Sequence, residues 1–236
     1  MQIITAMTSE PSISVVVPVF REAETINSLI LTLKELAQGG SLEIIVVDGS
    51  PEAETVRAID DDGVIRKVSG RGRGRQMNGG ASCASGEVLL FLHADTRLPS
   101  GALGHVRSCL GDSQIVAGAF DLGIDSKRWG FRVIEYVASV RSRLTRIPYG
   151  DQAIFIRRNY FEALGGYRDI PLMEDVDLMR RIRKKGDRIC FISQRVRTSP
   201  RRWEREGILY TTLRNWTLVT LFLFGVEPER LVRFYR

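Results

Sequence analysis

The sequence predicts an α/β fold: a single domain wound around a mostly parallel central sheet, flanked by helices and followed by a helical C-terminal appendage. Three observations carry this. Short strand-like runs (Ile13 to Val19, Glu43 to Asp48, Val64 to Val68, Glu87 to Leu92) alternate with helical-period segments. The first of them is apolar and β-branched almost throughout, as a strand covered on both faces requires. The chain, 236 residues with 44% hydrophobic content, is long enough to bury a full core without staples.

The elements follow in order. After the first strand, ended by Pro18-Val19-Phe20, Glu22 to Gln38 places Ile26, Leu29, Ile30, Leu33 and Leu36 at helical spacing, and Gly39-Gly40 stops the helix. The second strand ends on Asp48, before Gly49-Ser50-Pro51. Thr55 to Asp60 reads as a short helix, Val64 to Val68 as a third strand and Gly70 to Gly74 as a tight basic loop. A small-residue helix, Gln76 to Ser85, leads into the fourth strand. Beyond Asp95 the expected helices are Leu98 to Leu110, Trp129 to Arg146, Tyr160 to Leu164, Glu174 to Lys185 and Trp203 to Phe224. Phe131, Ile134, Val137 and Val140 form the apolar side of the second. The expected strands are Gln114 to Gly123, Gln152 to Ile156 and Arg188 to Ile192. The main domain is expected over 12–205 and the appendage over 206–236.

Charge is unevenly placed. The chain carries +6 overall, but residues 1–100 are net −4 and the remainder net +10, and 29 of the 34 basic residues are arginine. Arginine's planar fork suits phosphate, so nucleic acid, lipid headgroup and small diphosphate are the partners to weigh. Three widely spaced cysteines, an odd number, predict no disulfide framework or zinc cluster and favour a reducing compartment. No signal peptide and no run of about 18 apolar residues is read, so the expectation is a cytoplasmic protein.

In such a sheet, ligands sit beyond the carboxyl ends of the strands. Three of those ends carry polar groups: Phe20-Arg21-Glu22, Asp48-Gly49-Ser50 and His93-Ala94-Asp95-Thr96. Each alone reads as a turn residue or helix cap. Converging on one sheet edge, they read as a site. Gly70-Arg71-Gly72-Arg73-Gly74-Arg75 resembles a phosphate loop but fits neither the dinucleotide nor the P-loop pattern, since Arg75 and Gly80 stand where Gly and Lys are needed. It is short, unrepeated and lacks interleaved aromatics, which argues against nucleic acid. Asp95 beside a diphosphate suits Mg²⁺ or Mn²⁺. His93 is either a second ligand or a satisfied imidazole. Glu174-Asp175-Val176-Asp177 opens a helix; acids there complement the dipole, and one of them facing the cleft serves as a general base.

In this order the motifs resemble a family 2 glycosyltransferase with the A-type, Rossmann-like nucleotide-sugar-binding fold. The matching stretches are Val15 to Glu22, Glu43 to Ser50, Asn78 to Glu87, Phe91 to Asp95, Gly150-Asp151-Gln152 and Met173-Glu174-Asp175. The likeness covers about residues 12–205. It is greatest to a small, soluble subgroup bearing Phe-Leu-His-Ala-Asp-Thr and Pro-Leu-Met-Glu-Asp.

The resemblance implies a metal-dependent, inverting transfer of a sugar from a nucleotide-diphosphate donor, expected to be a UDP-sugar, to a hydroxyl of a lipid or small-molecule acceptor. Pro18, Phe20 and Glu22 would line the nucleotide pocket and Asp48 would accept from the base. Arg71, Arg75, Gln76, Asn78, Ala94 and Arg202 would serve the donor. Asp95, with His93 as an alternative second ligand, would hold Mn²⁺ or Mg²⁺. Asp151, Gln152 and Glu174 would shape the sugar or acceptor pocket, and Asp175 would take the acceptor's proton.

Two departures stand out. The family's Asp-x-Asp begins here with His93, which removes one carboxylate. Of the Gln-x-x-Arg-Trp of polymer-forming relatives, only Arg202-Trp203 remains. The alternative readings are a sugar-phosphate nucleotidyltransferase, disfavoured by Glu174-Asp175, and a non-catalytic nucleotide-sugar-binding module. The apolar segment Leu218 to Val226 either packs in the core, forms a homodimer interface or lies at a membrane surface as a peripheral contact.

Overall fold

A computed structural model of the chain describes residues 11–37 and 42–235. The expected Gly39-Gly40 helix stop lies outside them. In chain order the elements are β1 (Ile13–Val19), α1 (Ile26–Ala37), β2 (Leu42–Asp48), α2 (Glu54–Arg57), β3 (Ile65–Val68), α3 (Arg73–Ala81), β4 (Val88–Phe91), β5 (Thr96–Arg97), α4 (Ala102–Leu110), β6 (Ile115–Asp121) and α5 (Trp129–Thr145). A 3₁₀ turn at Gly150–Gln152 follows, then β7 (Phe155–Arg157), α6 (Arg158–Ala163), α7 (Glu174–Lys185), β8 (Arg188–Arg195), β9 (Arg197–Thr198), α8 (Arg201–Glu206), α9 (Ile208–Leu223), α10 (Pro228–Leu231) and a 3₁₀ turn at Val232–Phe234.

Seven strands form one sheet in the order β3-β2-β1-β4-β7-β6-β8. All pairings are parallel except those of β7, which is antiparallel to both neighbours. The expected mostly parallel α/β sheet is therefore observed. Because successive strand residues point to opposite faces, β1 feeds two cores. Val15, Val17 and Val19 join α1 and α4 on one side. Val16, with Ile45 and Val47 of β2, joins α3 and α7 on the other. Pro18 stays in β1 at no loss of a β4 bond, since that pairing ends at Val16 opposite Phe91. Gly80 explains how closely α3 lies on the sheet: a Cβ there would stand 2.3 Å from a methyl of Val16.

β2 and β4 flank β1 on opposite sides, so the strand order reverses there and a crevice opens at the carboxyl ends. A two-stranded antiparallel ribbon, β5 with β9, lies beyond the end of β4.

Several expectations are corrected. Arg73 and Gly74 belong to α3, so the basic loop is shorter than its sequence suggests. Gln152 sits in the 3₁₀ turn, and the strand that follows starts only at Phe155. The single helix expected from Trp203 breaks at Gly207, whose φ of 93° ends α8 and begins α9. The inward face of α5 is not the apolar one: Phe131 is buried, but so are Glu135, Ser139 and Ser142, whereas Val140 is exposed. Cys109 of α4 and Cys190 of β8 form a disulfide across 81 residues, their Cα atoms 6.4 Å apart, while Cys83 is free. Packing of α4 against β8 brings the two together, and spacing along the chain cannot show it.

In the C-terminal region, Leu218 and Phe222 of α9 and Leu231 of α10 join Leu178, Met179 and Ile182 of α7 in the second core. Among the described residues no helix is long and apolar enough to cross a membrane.

Candidate active site

Four pieces of chain meet beyond the carboxyl end of β4: the His93-Ala94-Asp95 segment, the first turn of α3, the Gly150–Gln152 turn and the first turn of α7. Asp175 Oδ2 accepts the backbone N–H of Gly150 at 2.5 Å, and its Oδ1 accepts that of Val176 at 2.7 Å. A Cβ on Gly150 would lie 2.9 Å from His93 Nε2 and 3.3 Å from Asp175 Oδ2, so the imidazole, the turn and the carboxylate are in mutual contact range. Arg73 Nε pairs with Glu174 Oε1 at 3.2 Å, and Glu174 is 4% exposed.

The electrostatics follow from this crowding. Burial, together with the positive charges of Arg73 and Arg202, pushes His93 down to about 3, so its imidazole is neutral at ordinary pH. Burial raises Asp151 to about 6; Arg141 and Arg73 oppose the shift, and Asp175 and Asp95 add to it. Burial also raises Glu174, against Arg73 and with Asp175. Asp95, Asp151 and Asp175 thus share one field, in which a bound cation would be stabilised. Among the described residues no three Asp, Glu, His or Cys side chains are close enough to cage a metal. Mg²⁺ and Mn²⁺ need no such cage where one carboxylate and substrate phosphates share the ion. An exposed Asp95 beside a neutral His93 fits that mode.

At the end of β1, the Arg71 and Arg21 guanidiniums lie over the Phe20 ring at 4.7 and 5.4 Å, joining the strand end to the basic loop. Glu22 accepts from Thr25 Oγ1 at 3.0 Å and donates its N–H to Thr55. Pro18 is buried in β1, and Ala94 packs against the first core. Asp48 is fully buried, and its carboxylate accepts the N–H groups of Ser50, Thr55 and Val56 at 2.8–3.3 Å. Of its roughly four lone-pair sites, three are thus occupied by this cap.

Three other expected ligand-facing side chains are turned to the fold, and a fourth, Arg75, is paired at the exposed rim. Gln76 donates to the carbonyls of Val19 and Val47 at 2.7 and 2.9 Å, strapping the ends of β1 and β2 together. Asn78 exchanges two hydrogen bonds with the Tyr167 backbone at 2.8 and 2.9 Å. Gln152 is fully buried; it accepts from Ser142 Oγ and the Tyr149 N–H and donates to the Phe120 carbonyl. Arg75 pairs with Asp169 at 2.7 Å on the rim. The physical reason is common to the amides: once buried, they must be satisfied locally, and the backbone supplies the partners.

The fold also recruits residues that motif reading missed. Arg73 was legible only as one of three loop arginines; starting α3 turns it toward Glu174. Arg141 of α5 lies over the Tyr149 ring at 3.2 Å and senses the charges of Asp151 and Asp175. Tyr235 hydrogen-bonds Arg202, whose guanidinium lies 4.3 Å above its ring, and also interacts with Arg73. No sequence signal marked a penultimate tyrosine as part of this cluster.

Residues 14–185 match the family described as Glycosyl transferase family 2. An uncharacterized protein of Mycobacterium tuberculosis (strain CDC 1551 / Oshkosh), MT1568, is 26% identical over 211 residues, covering 78% of this chain and 65% of its own length. A crystal structure of residues 1–349 of S. aureus TarS in complex with UDP-GlcNAc shares the fold, with a TM-score of 0.60 at 17% identity over 80% of this chain and 58% of that one. The chain therefore spans less than two thirds of both.

Proposed function

The chain belongs to glycosyl transferase family 2, and we propose that it moves a sugar from a nucleoside-diphosphate donor, a UDP-sugar, to a hydroxyl of a lipid or small-molecule acceptor, inverting the anomeric carbon. The observation that carries this reading is the convergence of Asp95, Asp151 and Asp175 with Arg73, Arg202 and a neutral His93 at the sheet's switch point. A donor complex such as that of TarS with UDP-GlcNAc, on the same fold, supports the choice of nucleotide.

In this proposal Phe20, with Arg71 stacked on it, forms one wall of the nucleotide site. Arg73 and Arg202 face the diphosphate and stabilise the negative charge that grows on it as the glycosidic bond breaks. Asp95, with His93 as neutral second donor, would hold Mn²⁺ or Mg²⁺, which supplies further charge neutralisation to the leaving group. Asp175, held by the Gly150 N–H, takes the acceptor hydroxyl's proton during in-line attack. Asp151 and Arg141 border the sugar and acceptor space.

The test is a melting-temperature and hydrolysis panel of nucleotide sugars with Mn²⁺. Binding to the native state raises the melting temperature. UDP and one UDP-sugar are expected to do so; no shift with any nucleoside diphosphate sinks the proposal.

A further inference from the structure

Helix α5 is inside out. Three of its four buried side chains, Glu135, Ser139 and Ser142, are polar. Its exposed side chains include Trp129, Val133, Tyr136, Val140 and Leu144, with Trp129 and Leu144 each 80% exposed. Their spacing of three or four residues puts all five in one stripe along the helix. The start of α9 repeats the pattern: Leu209, Tyr210 and Leu213 are exposed while Thr211 is buried. The two helices adjoin at their first turns, where Ile208 and Trp203 pack with Phe131 and Ile134.

The rim of this stripe is basic. Residues 127–146 hold six Lys and Arg against one acid, Glu135. That acid is buried and already paired with Arg132 and Arg195 at 2.8 and 2.9 Å. On the helical wheel Arg132 and Arg143 border one edge of the stripe and Arg141 the other. Beside the Arg132 edge lies a cavity of about 640 Å³ whose lining includes Arg97, Arg132, Arg195 and Arg197, with Glu135 its single acid.

We propose that this face docks the protein on an anionic bilayer surface. The stripe of α5 seats among the lipid headgroups, and the arginine cleft takes lipid phosphates. An apolar face carrying Trp and Tyr and rimmed by cations is what an interfacial helix presents. A second copy of the chain is the poorer occupant, because a symmetric contact would bring two basic rims together with no free acid on α5 to offset them. The inference goes beyond the proposed reaction and does not depend on it. The two meet at Arg141, whose helix edge leads to Asp151 and Asp175.

The test uses the full chain, without donor, in flotation with phosphatidylcholine vesicles that contain or lack phosphatidylglycerol. Binding is expected only with phosphatidylglycerol, and it falls as salt rises. Lys127→Glu with Arg128→Glu is expected to weaken it at least about 25-fold, at about fivefold per charge lost near the surface. Trp129→Ser with Leu144→Ser is expected to weaken it while leaving the melting temperature within about 2 °C, because both side chains lie in solvent. Absence of binding to the anionic vesicles, equal binding to both vesicle types, or unchanged binding of both double variants overturns the proposal. So does a dimer in sedimentation velocity that the Trp129→Ser, Leu144→Ser variant dissociates.

Discussion

Asp175 Oδ2 accepts the backbone N–H of Gly150, which ties the first turn of α7 to the 3₁₀ turn that carries Asp151. Two carboxylates 24 residues apart in sequence are thereby fixed relative to each other by one backbone hydrogen bond. Their surroundings separate the two: Asp175 is held by two N–H donors, while Asp151 is raised by burial and then by nearby negative charge.

The first prediction follows from that separation. Asp175→Asn is expected to lower kcat by about 10²–10⁴ with donor affinity kept, as removal of a general base does. Asp95→Ala is expected instead to weaken Mn²⁺-dependent donor binding, read by calorimetry. Equal loss of folding in both variants, read by circular dichroism, points to a purely structural role.

Gly150 tests the packing of the site. Gly150→Ala places a Cβ 2.9 Å from His93 Nε2 and 3.3 Å from Asp175 Oδ2. Transfer is expected to fall at least about tenfold while the melting temperature changes little, since displacement of a reacting group by about 1 Å costs that much or more. Unchanged kinetics would show that His93 gives way freely.

Asp151 makes a pH prediction. Its folded value is raised to about 6 from the ordinary carboxylate value of about 3.9. A raised acid favours the fold at low pH, and that contribution is lost as pH rises through 6. Asp151→Asn removes the titration. The melting temperature of the variant relative to the parent chain is therefore expected to climb between about pH 4 and pH 7 and then level off. A difference that does not vary with pH contradicts the assignment.

Asn78→Ala addresses the strap between α3 and the Gly166-Tyr167 loop. Both its hydrogen bonds go to the Tyr167 backbone, and Tyr167 is buried. The loss is expected to be about 2–4 kcal/mol in urea unfolding, for two groups left unpaired. Donor binding per folded molecule is expected to persist, which distinguishes a positioning role from ligand contact.

Particular residues show where sequence reading succeeded. Ile13 to Val19 and Glu43 to Asp48 were legible as strands because both faces of the sheet are covered, so apolar residues fill Val15 to Val19 and Ile44 to Val47 without a break. Asp95 and Asp175 were singled out because one follows a strand end and the other opens a helix, and the fold brings that strand end and that helix start together. That Gln76, Asn78 and Gln152 bond to backbone was not legible, since a polar residue near a strand end reads alike whether it meets a ligand or a backbone carbonyl. The inverted face of α5 was missed because helical spacing reports that a stripe exists, not which way it points.

The sequence by itself determined the parallel α/β sheet, the family and the carboxylates that gather at the sheet edge. Those properties rest on local periodicity and on short motifs that the chain carries in order. The tertiary structure decided which polar groups face the crevice, that Arg73, Arg141 and Tyr235 join them, that Cys109 meets Cys190, and that α5 turns its apolar side outward. Each of these depends on segments far apart in the chain being brought together, and local spacing holds no record of that.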